Sequence, residues 1–187
     1  MPEMPKDDPR IARARAAWRF RGQTRPDFAV EPGPGQESVW DYPRPPAIRA
    51  EPRPVRVLTG TVTLADSHRA VRVCETGSPP TLYLPPQDVA MHLLAVSPTR
   101  SFCEWKGQAR YFRLKDAASA ATDVAWCYPE PLAGFEPHAG WICFYPGRVA
   151  CFLDGERVLA QPGGYYGGWI TADVVGPFKG EPGTSHW

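Results

Sequence analysis

Cys103-Glu104-Trp105-Lys106-Gly107, followed by Ala109 and Tyr111, is the densest run of groups able to do chemistry in this chain. A carboxylate and an ammonium flank an indole beside a glycine turn. Read as strand, the run puts Glu104 and Lys106 on one face and Cys103 and Trp105 on the other. On a concave sheet such a pair could move protons or clamp a polar ligand, whereas on an open one it is a surface ion pair. Asp66-Ser67-His68-Arg69 is a second concentration of polar side chains. Adjacent residues in a strand or tight turn point apart, so these cannot line up as nucleophile, base and orienter. Asp and Ser suit a turn that satisfies backbone donors, with Asp66 or Arg69 reaching a pocket as the alternative. Glu75 precedes Thr76-Gly77 and Pro79-Pro80, and Tyr83 follows. With the flanking hairpins side by side, Glu75, Tyr83, Glu104, Lys106 and Tyr111 would converge on one aromatic-walled cavity.

Other chemistries are poorly served. His68, His92, His138 and His186 are scattered and no Cys or His pair has zinc-ligand spacing, so neither a metal nor a cofactor is expected. The tract Gly163-Gly164-Tyr165-Tyr166-Gly167-Gly168 lacks the Lys-Ser/Thr of a P-loop and the strand–turn–helix setting of a dinucleotide loop; its glycines read as bends that let aromatic rings seal a sheet. A net charge of +1 creates no field for a nucleic-acid polymer or an anionic membrane and favours small partners. No apolar run approaches the roughly 20 residues of a membrane-spanning helix. Cys74, Cys103, Cys127, Cys143 and Cys151 are odd in number, with no CxxC pair and no secretory segment ahead of them, which predicts reduced thiols in a cytoplasm.

The elements that must position these groups are strands. With 23 prolines and 17 glycines in 187 residues, long helices are disfavoured, and the length suits one domain. Asp8-Pro9 caps a short predicted helix over 9–20. Residues 22–54 read as an extended arm pinned by Phe28, Val39, Trp40, Tyr42 and Ile48. Alternation predicts strands at 55–64 and 70–75, paired as a hairpin around Asp66-Ser67-His68, and a third at 82–84. Asp88 is expected to cap a helix with Val89, Leu93 and Leu94 on one face, ending near Ser97-Pro98. A second hairpin follows over 102–105 and 109–114, then strands at 124–128, 141–145 and 149–153, with Asp154-Gly155 turning into 157–159. From Gln161 onward the chain is irregular but too aromatic to float. The parts are thus an arm (1–53), a β domain (54–160) and a packed tail (161–187), forming a single mainly β domain with one or two short helices.

Trp-x-Tyr-Pro-x-Pro occurs twice, at Trp40–Pro45 and Trp126–Pro131, each followed at a similar distance by Asp-x-x-Arg (Asp66/Arg69 and Asp154/Arg157). The spacing suggests two related halves, and the two tryptophans should be buried structural corners.

Taken together, Ala65-Asp66-Ser67-x-Arg69-Ala70, Glu75-Thr76-Gly77, Pro79-Pro80-Thr81-x-Tyr83-x-Pro85, Asp88-Val89 and Cys103-x-x-Lys106-Gly107-x-Ala109-x-Tyr111 resemble a widespread bacterial family, domain of unknown function number 427, over roughly 54–152. Arg21-Gly22-Gln23-x-Arg25-Pro26 and Phe178-Lys179-Gly180-x-Pro182-Gly183-Thr184 resemble a longer subgroup with an added arm and tail. The resemblance implies a compact β domain with a curved or tent-like antiparallel sheet, and the family's nucleotidyltransferase-like label adds nucleotides to the possible ligands. Glu104 and Trp105 depart from the family's proline and aromatic residue. The expected function is binding of a small polar or anionic ligand. Lys106 and Arg69 would orient it, Glu75 or Asp66 would serve as acid or base, Glu104 would assist, and Tyr83, Tyr111 and Trp105 would form walls. The alternative is a non-catalytic interaction module or homodimer, in which arm and tail expose an aromatic patch.

Overall fold

The computed structural model describes residues 8–115, 122–184, 186 and 187. Its one α-helix, α1 (Pro9–Ala16), starts on the Asp8 carboxylate, which accepts the Arg10 amide proton at 2.8 Å, with Pro9 in the first turn. It is shorter than predicted because the chain leaves the helix to carry Trp18 across to Glu104. The strands are β1 (Glu37–Ser38), β2 (Ala47–Ala50), β3 (Val55–Thr59), β4 (Val62–Ser67), β5 (Val71–Glu75), β6 (Ser78–Tyr83), β7 (Leu94–Cys103) and β8 (Gly107–Leu114). There follow β9 (Asp123–Cys127), β10 (Cys143–Phe144), β11 (Ala150–Leu153), β12 (Glu156–Arg157), β13 (Leu159–Ala160), β14 (Trp169–Ile170) and β15 (Val174–Val175). The chain is mainly β, as expected. No helix among the described residues is long and apolar enough to cross a membrane.

Three antiparallel sheets carry the fold, ordered β12-β11-β3-β4, β10-β9-β8-β7 and β2-β5-β6. The last two meet where Leu84, just beyond β6, bridges Ile142, just before β10, so they continue one another around a bend. Strand alternation gives this bent surface two faces. On one, Leu82, Leu84, Phe112, Leu114, Ala125 and Phe144 pack against Val55, Val57, Leu64 and Cys151 of the β3-containing sheet. On the other, Val73, Tyr83, Tyr111, Trp126, Cys143 and Tyr145 form an aromatic layer. Arm and tail are zipped together by β1 and β15, which pair in parallel, and the arm's β2 pairs with β5.

Several local expectations are corrected. The 55–64 segment is itself the β3/β4 hairpin, turning at Gly60 in the left-handed region (φ 55°), and β5 pairs with β2 and β6 instead. No helix follows Asp88. Two 3-10 turns, Pro86–Asp88 and Met91–Leu93, replace it, because the Ala90 amide donates to Leu64 O at 2.8 Å and Val89 bridges Ala65. Strand β7 runs straight through Pro98. It is an edge strand whose register breaks between Val96 and Arg100, a place where a residue without an N–H costs no ladder bond. The two Trp-x-Tyr-Pro-x-Pro copies differ locally: Trp40 lies in a 3-10 turn (Val39–Asp41) and Trp126 in β9, while Asp66 is in β4 and Asp154 occupies a hairpin turn. Both rings are buried, but the motif does not mark equivalent corners.

Candidate functional site

The aromatic face is concave, and its hollow holds a cavity of about 190 Å3. β5 and β6 contribute Val73, Glu75, Ser78 and Thr81, while β7 and the turn into β8 contribute Ser101, Cys103, Glu104 and Lys106. Tyr111, Trp126, Tyr128 and Tyr145 form the aromatic floor and wall. Trp18 closes one side, and the tail closes another with Gln161, Tyr165, Tyr166, Gly167 and Lys179.

Glu75 is the electrostatic centre. Its Oε2 lies 3.2 Å from Lys106 Nζ and its Oε1 3.3 Å from Arg44 Nε. The Arg44 guanidinium has no solvent exposure; it also donates to Phe20 O at 3.0 Å and Thr76 O at 2.8 Å, and lies 4.1 Å above the Trp18 ring. Burial alone would raise the Glu75 pKa, yet Lys106 and Arg44 outweigh it and hold the carboxyl below its ordinary value. Burial likewise opposes the Lys106 ammonium, but Cys103 and Glu75 hold it above the usual lysine range, so it is a permanent cation. Glu104 accepts from Trp18 Nε1 at 2.6 Å, and its main-chain oxygen accepts from Arg15 Nε at 2.8 Å, latching the N-terminal segment over the turn. Ser101 Oγ and Tyr111 OH are hydrogen-bonded at 2.7 Å.

Of the residues singled out from sequence, Glu75, Glu104, Lys106 and Tyr111 meet at this cavity. Glu104 and Lys106 sit on a turn, since residues 104–106 are not strand, and Glu75, at the end of β5, meets Lys106 there. Tyr83 lies beneath the lining, buried and stacked 6.5 Å from Tyr128. Trp105 is not a wall; it points to the other side of the turn, where Arg15 covers its ring at 5.0 Å. Asp66 and Arg69 belong elsewhere. Asp66 is exposed and pairs with Arg56 at 3.7 Å, and Arg69 pairs with Asp88, to which Ser67 Oγ also donates at 2.6 Å. That cluster is a surface clasp between β4 and the following 3-10 turn.

Sequence reasoning missed Trp18, Arg44 and Lys179. One signal was available: Lys106 and Lys179 are two of only four lysines among 21 basic residues, and both line this site, Lys179 buried and Lys106 largely shielded. The tail's aromatic seal was legible in Gly167, where a Cβ would sit inside the Trp126 ring and 3.2 Å from Tyr145. Gly167→Ala is therefore expected to push the tail off the pocket and destabilise the fold by about 1–3 kcal/mol. Chemical denaturation with tryptophan fluorescence checks this, and an unchanged midpoint and spectrum would refute the tight seat.

The strands that build the cavity lie in the middle of the chain, whereas Trp18, Gln161, Tyr165, Tyr166 and Lys179 come from the flanks. No curated protein matches this chain. The sequence model of one family, named NTP_transf_9, matches residues 47–155, from β2 to the turn after β11, and so covers the whole strand framework of the pocket. With more than half of its length matched, the chain belongs to the family described as Domain of unknown function (DUF427).

Proposed function

We propose that the cavity binds a small organic anion, with Lys106 as its fixed positive charge, Glu75 setting the orientation of Lys106, and Tyr111 and the surrounding rings as walls. The observation that carries this reading is the Glu75–Lys106 pair, 3.2 Å apart and largely shielded from solvent at the base of an aromatic hollow. Lys106 and Lys179 of the lining face the carboxylates of Glu75 and Glu104, and Arg44, buried behind Glu75, adds a further positive charge. Aromatic walls with a few convergent charged groups are the usual composition of small-ligand sites. Nucleotidyl transfer fits the residues less well. That chemistry asks for a divalent-cation site, and among the described residues no three His, Cys, Asp or Glu side chains are grouped to hold a metal. Of the arm and tail aromatic residues that would form an interaction patch, Trp40, Tyr42 and Trp169 are buried, while Phe28 and Tyr165 are exposed.

A thermal-shift screen over carboxylates, phosphates and nucleotides tests the proposal. A ligand at about 100 times its Kd should add about 2.7 kcal/mol of apparent stability. Lys106→Ala leaves Glu75 paired with Arg44, so the variant is expected to fold while binding the same compound at least about tenfold more weakly. A shift that Lys106→Ala leaves untouched would place the ligand elsewhere.

A further inference from the structure

We infer that Lys179 is an amine nucleophile that forms a Schiff base with a small anionic carbonyl compound, a 2-oxo acid being the simplest. This rests on the pocket being an anion site, and assigns it a reaction. The two lysines of the lining are held in opposite ways. Lys106 is locked in an ion pair with Glu75. Lys179 has no carboxylate side chain within ion-pair distance among the described residues; its ammonium makes one long hydrogen bond there, 3.3 Å to an oxygen of Trp187, the last residue of the sequence, whose terminal carboxylate is the anionic group beside it. Its Nζ lies instead 3.6 Å from the centre of the Trp18 ring and 5.3 Å from that of Tyr166. The residue is 3% exposed, yet it lines the cavity. Its backbone is fixed on both sides: the amide donates to Gly77 O at 2.7 Å, and the carbonyl accepts from Gln161 Nε2 at 2.7 Å. Burial first, then the Arg44 guanidinium, bring its pKa down to about 8. An apolar setting beside a second cation is how an amine is kept neutral enough to attack a carbonyl.

The step balances without an oxidant or reductant. Neutral Lys179 Nζ adds to the carbonyl carbon, forming C–N as the C=O π pair moves to oxygen, and a nitrogen proton then passes to that oxygen. The carbinolamine hydroxyl leaves as water on receiving the proton the ammonium first gave up, and the nitrogen lone pair closes the iminium. Water takes up that proton and returns it between the two stages, while Glu75 stays ionised in the same pocket. Lys106 remains a cation throughout and faces the substrate's carboxylate.

The test incubates the full chain with pyruvate and sodium cyanoborohydride near neutral pH and maps the reduced adduct by mass spectrometry. One adduct per chain at Lys179 is expected, absent in Lys179→Arg. Adducts spread evenly over the lysines, or undiminished in Lys179→Arg, would overturn the inference. Thermal shift by pyruvate alone separates this from the pocket reading. A shift lost in Lys106→Ala without trapping at Lys179 overturns the Schiff base only, whereas neither shift nor trapping with oxo acids and anionic aldehydes overturns both. Competitive acetylation of the wild type needs no variant. Arg44 from the arm, Glu75 from β5, Cys103 from β7, Glu104 and Lys106 from the turn, and Tyr165, Tyr166 and the terminal carboxylate of Trp187 from the tail are the ionisable groups around Lys179. With these as its surroundings, Lys179 reactivity should level off just above pH 8. A profile that keeps climbing to the ordinary lysine value of 10.5 would overturn it.

Discussion

Replacing Glu75 by alanine is expected to remove about 3–5 kcal/mol of folding stability, the usual penalty for stranding one partner of a buried ion pair. Arg44 cannot follow the change by turning to water. Its guanidinium is fixed by Phe20 O and Thr76 O, lies on Trp18, and has no solvent exposure. Lys106 would lose its carboxylate as well. The loss should appear as a lower guanidinium midpoint at unchanged m-value. Glu75→Gln should cost less, since an amide oxygen can still accept a hydrogen bond, and adding Arg44→Met to Glu75→Ala should recover much of the loss. A penalty below about 1 kcal/mol would mean that the pair is already solvated. The pH dependence has a definite sign. Glu75's contribution is complete above the ordinary 4.5 and is lost as pH falls through its lower folded value. Lys106 contributes below the ordinary 10.5, and its share is lost only as pH rises through its higher folded value. The gap between wild type and Glu75→Ala should therefore be widest between those limits and narrow in acid.

Trp40→Ala is expected to cost a similar amount, about 3–5 kcal/mol, by emptying a fully enclosed site. Phe20, Phe28 and Trp187 meet the indole edge-on at 5.3, 5.0 and 5.3 Å, and its Nε1 donates to Pro177 O at 3.1 Å. Helix-following segment, arm and tail thus share one anchor. Trp40 also underlies Gly77, whose carbonyl holds the Lys179 amide, so hydrogen exchange at that amide should accelerate in the variant. Thermal denaturation and exchange together check this. Full stability, or lost stability with Lys179 as protected as before, would show that the anchor does not reach the site.

The β class was legible because alternation and turn chemistry are local. Asp154-Gly155 was predicted as a hairpin turn, and both residues adopt positive φ there (50° and 79°). The errors arose where a distant partner outbid a local preference. Asp88 looks like a helix cap, but it is claimed by Arg69 and Ser67 while Leu64 takes the Ala90 amide. Gly60 read as part of a strand although a glycine there was the clue to a turn. In the site, Glu75, Glu104, Lys106 and Tyr111 could be grouped because they come from neighbouring hairpins. Lys179 could not: nothing in Phe178-Lys179-Gly180 shows that its amine will lie on Trp18, which stands near the other end of the chain.

Building a pocket from both flanks has a consequence for manufacture. Trp18 leaves the ribosome early, and so do the strands that form the hollow, but Lys179 and the rings of Tyr165 and Tyr166 emerge only after all of them. A nascent or prematurely terminated chain that stops at residue 160 carries the framework strands β2 to β13 and none of the tail's closing groups. The proposed anion site is thus closed only once the tail has been made, and a copy that stops at residue 160 keeps Lys106 and Glu75 but lacks Lys179 and the rings of Tyr165 and Tyr166.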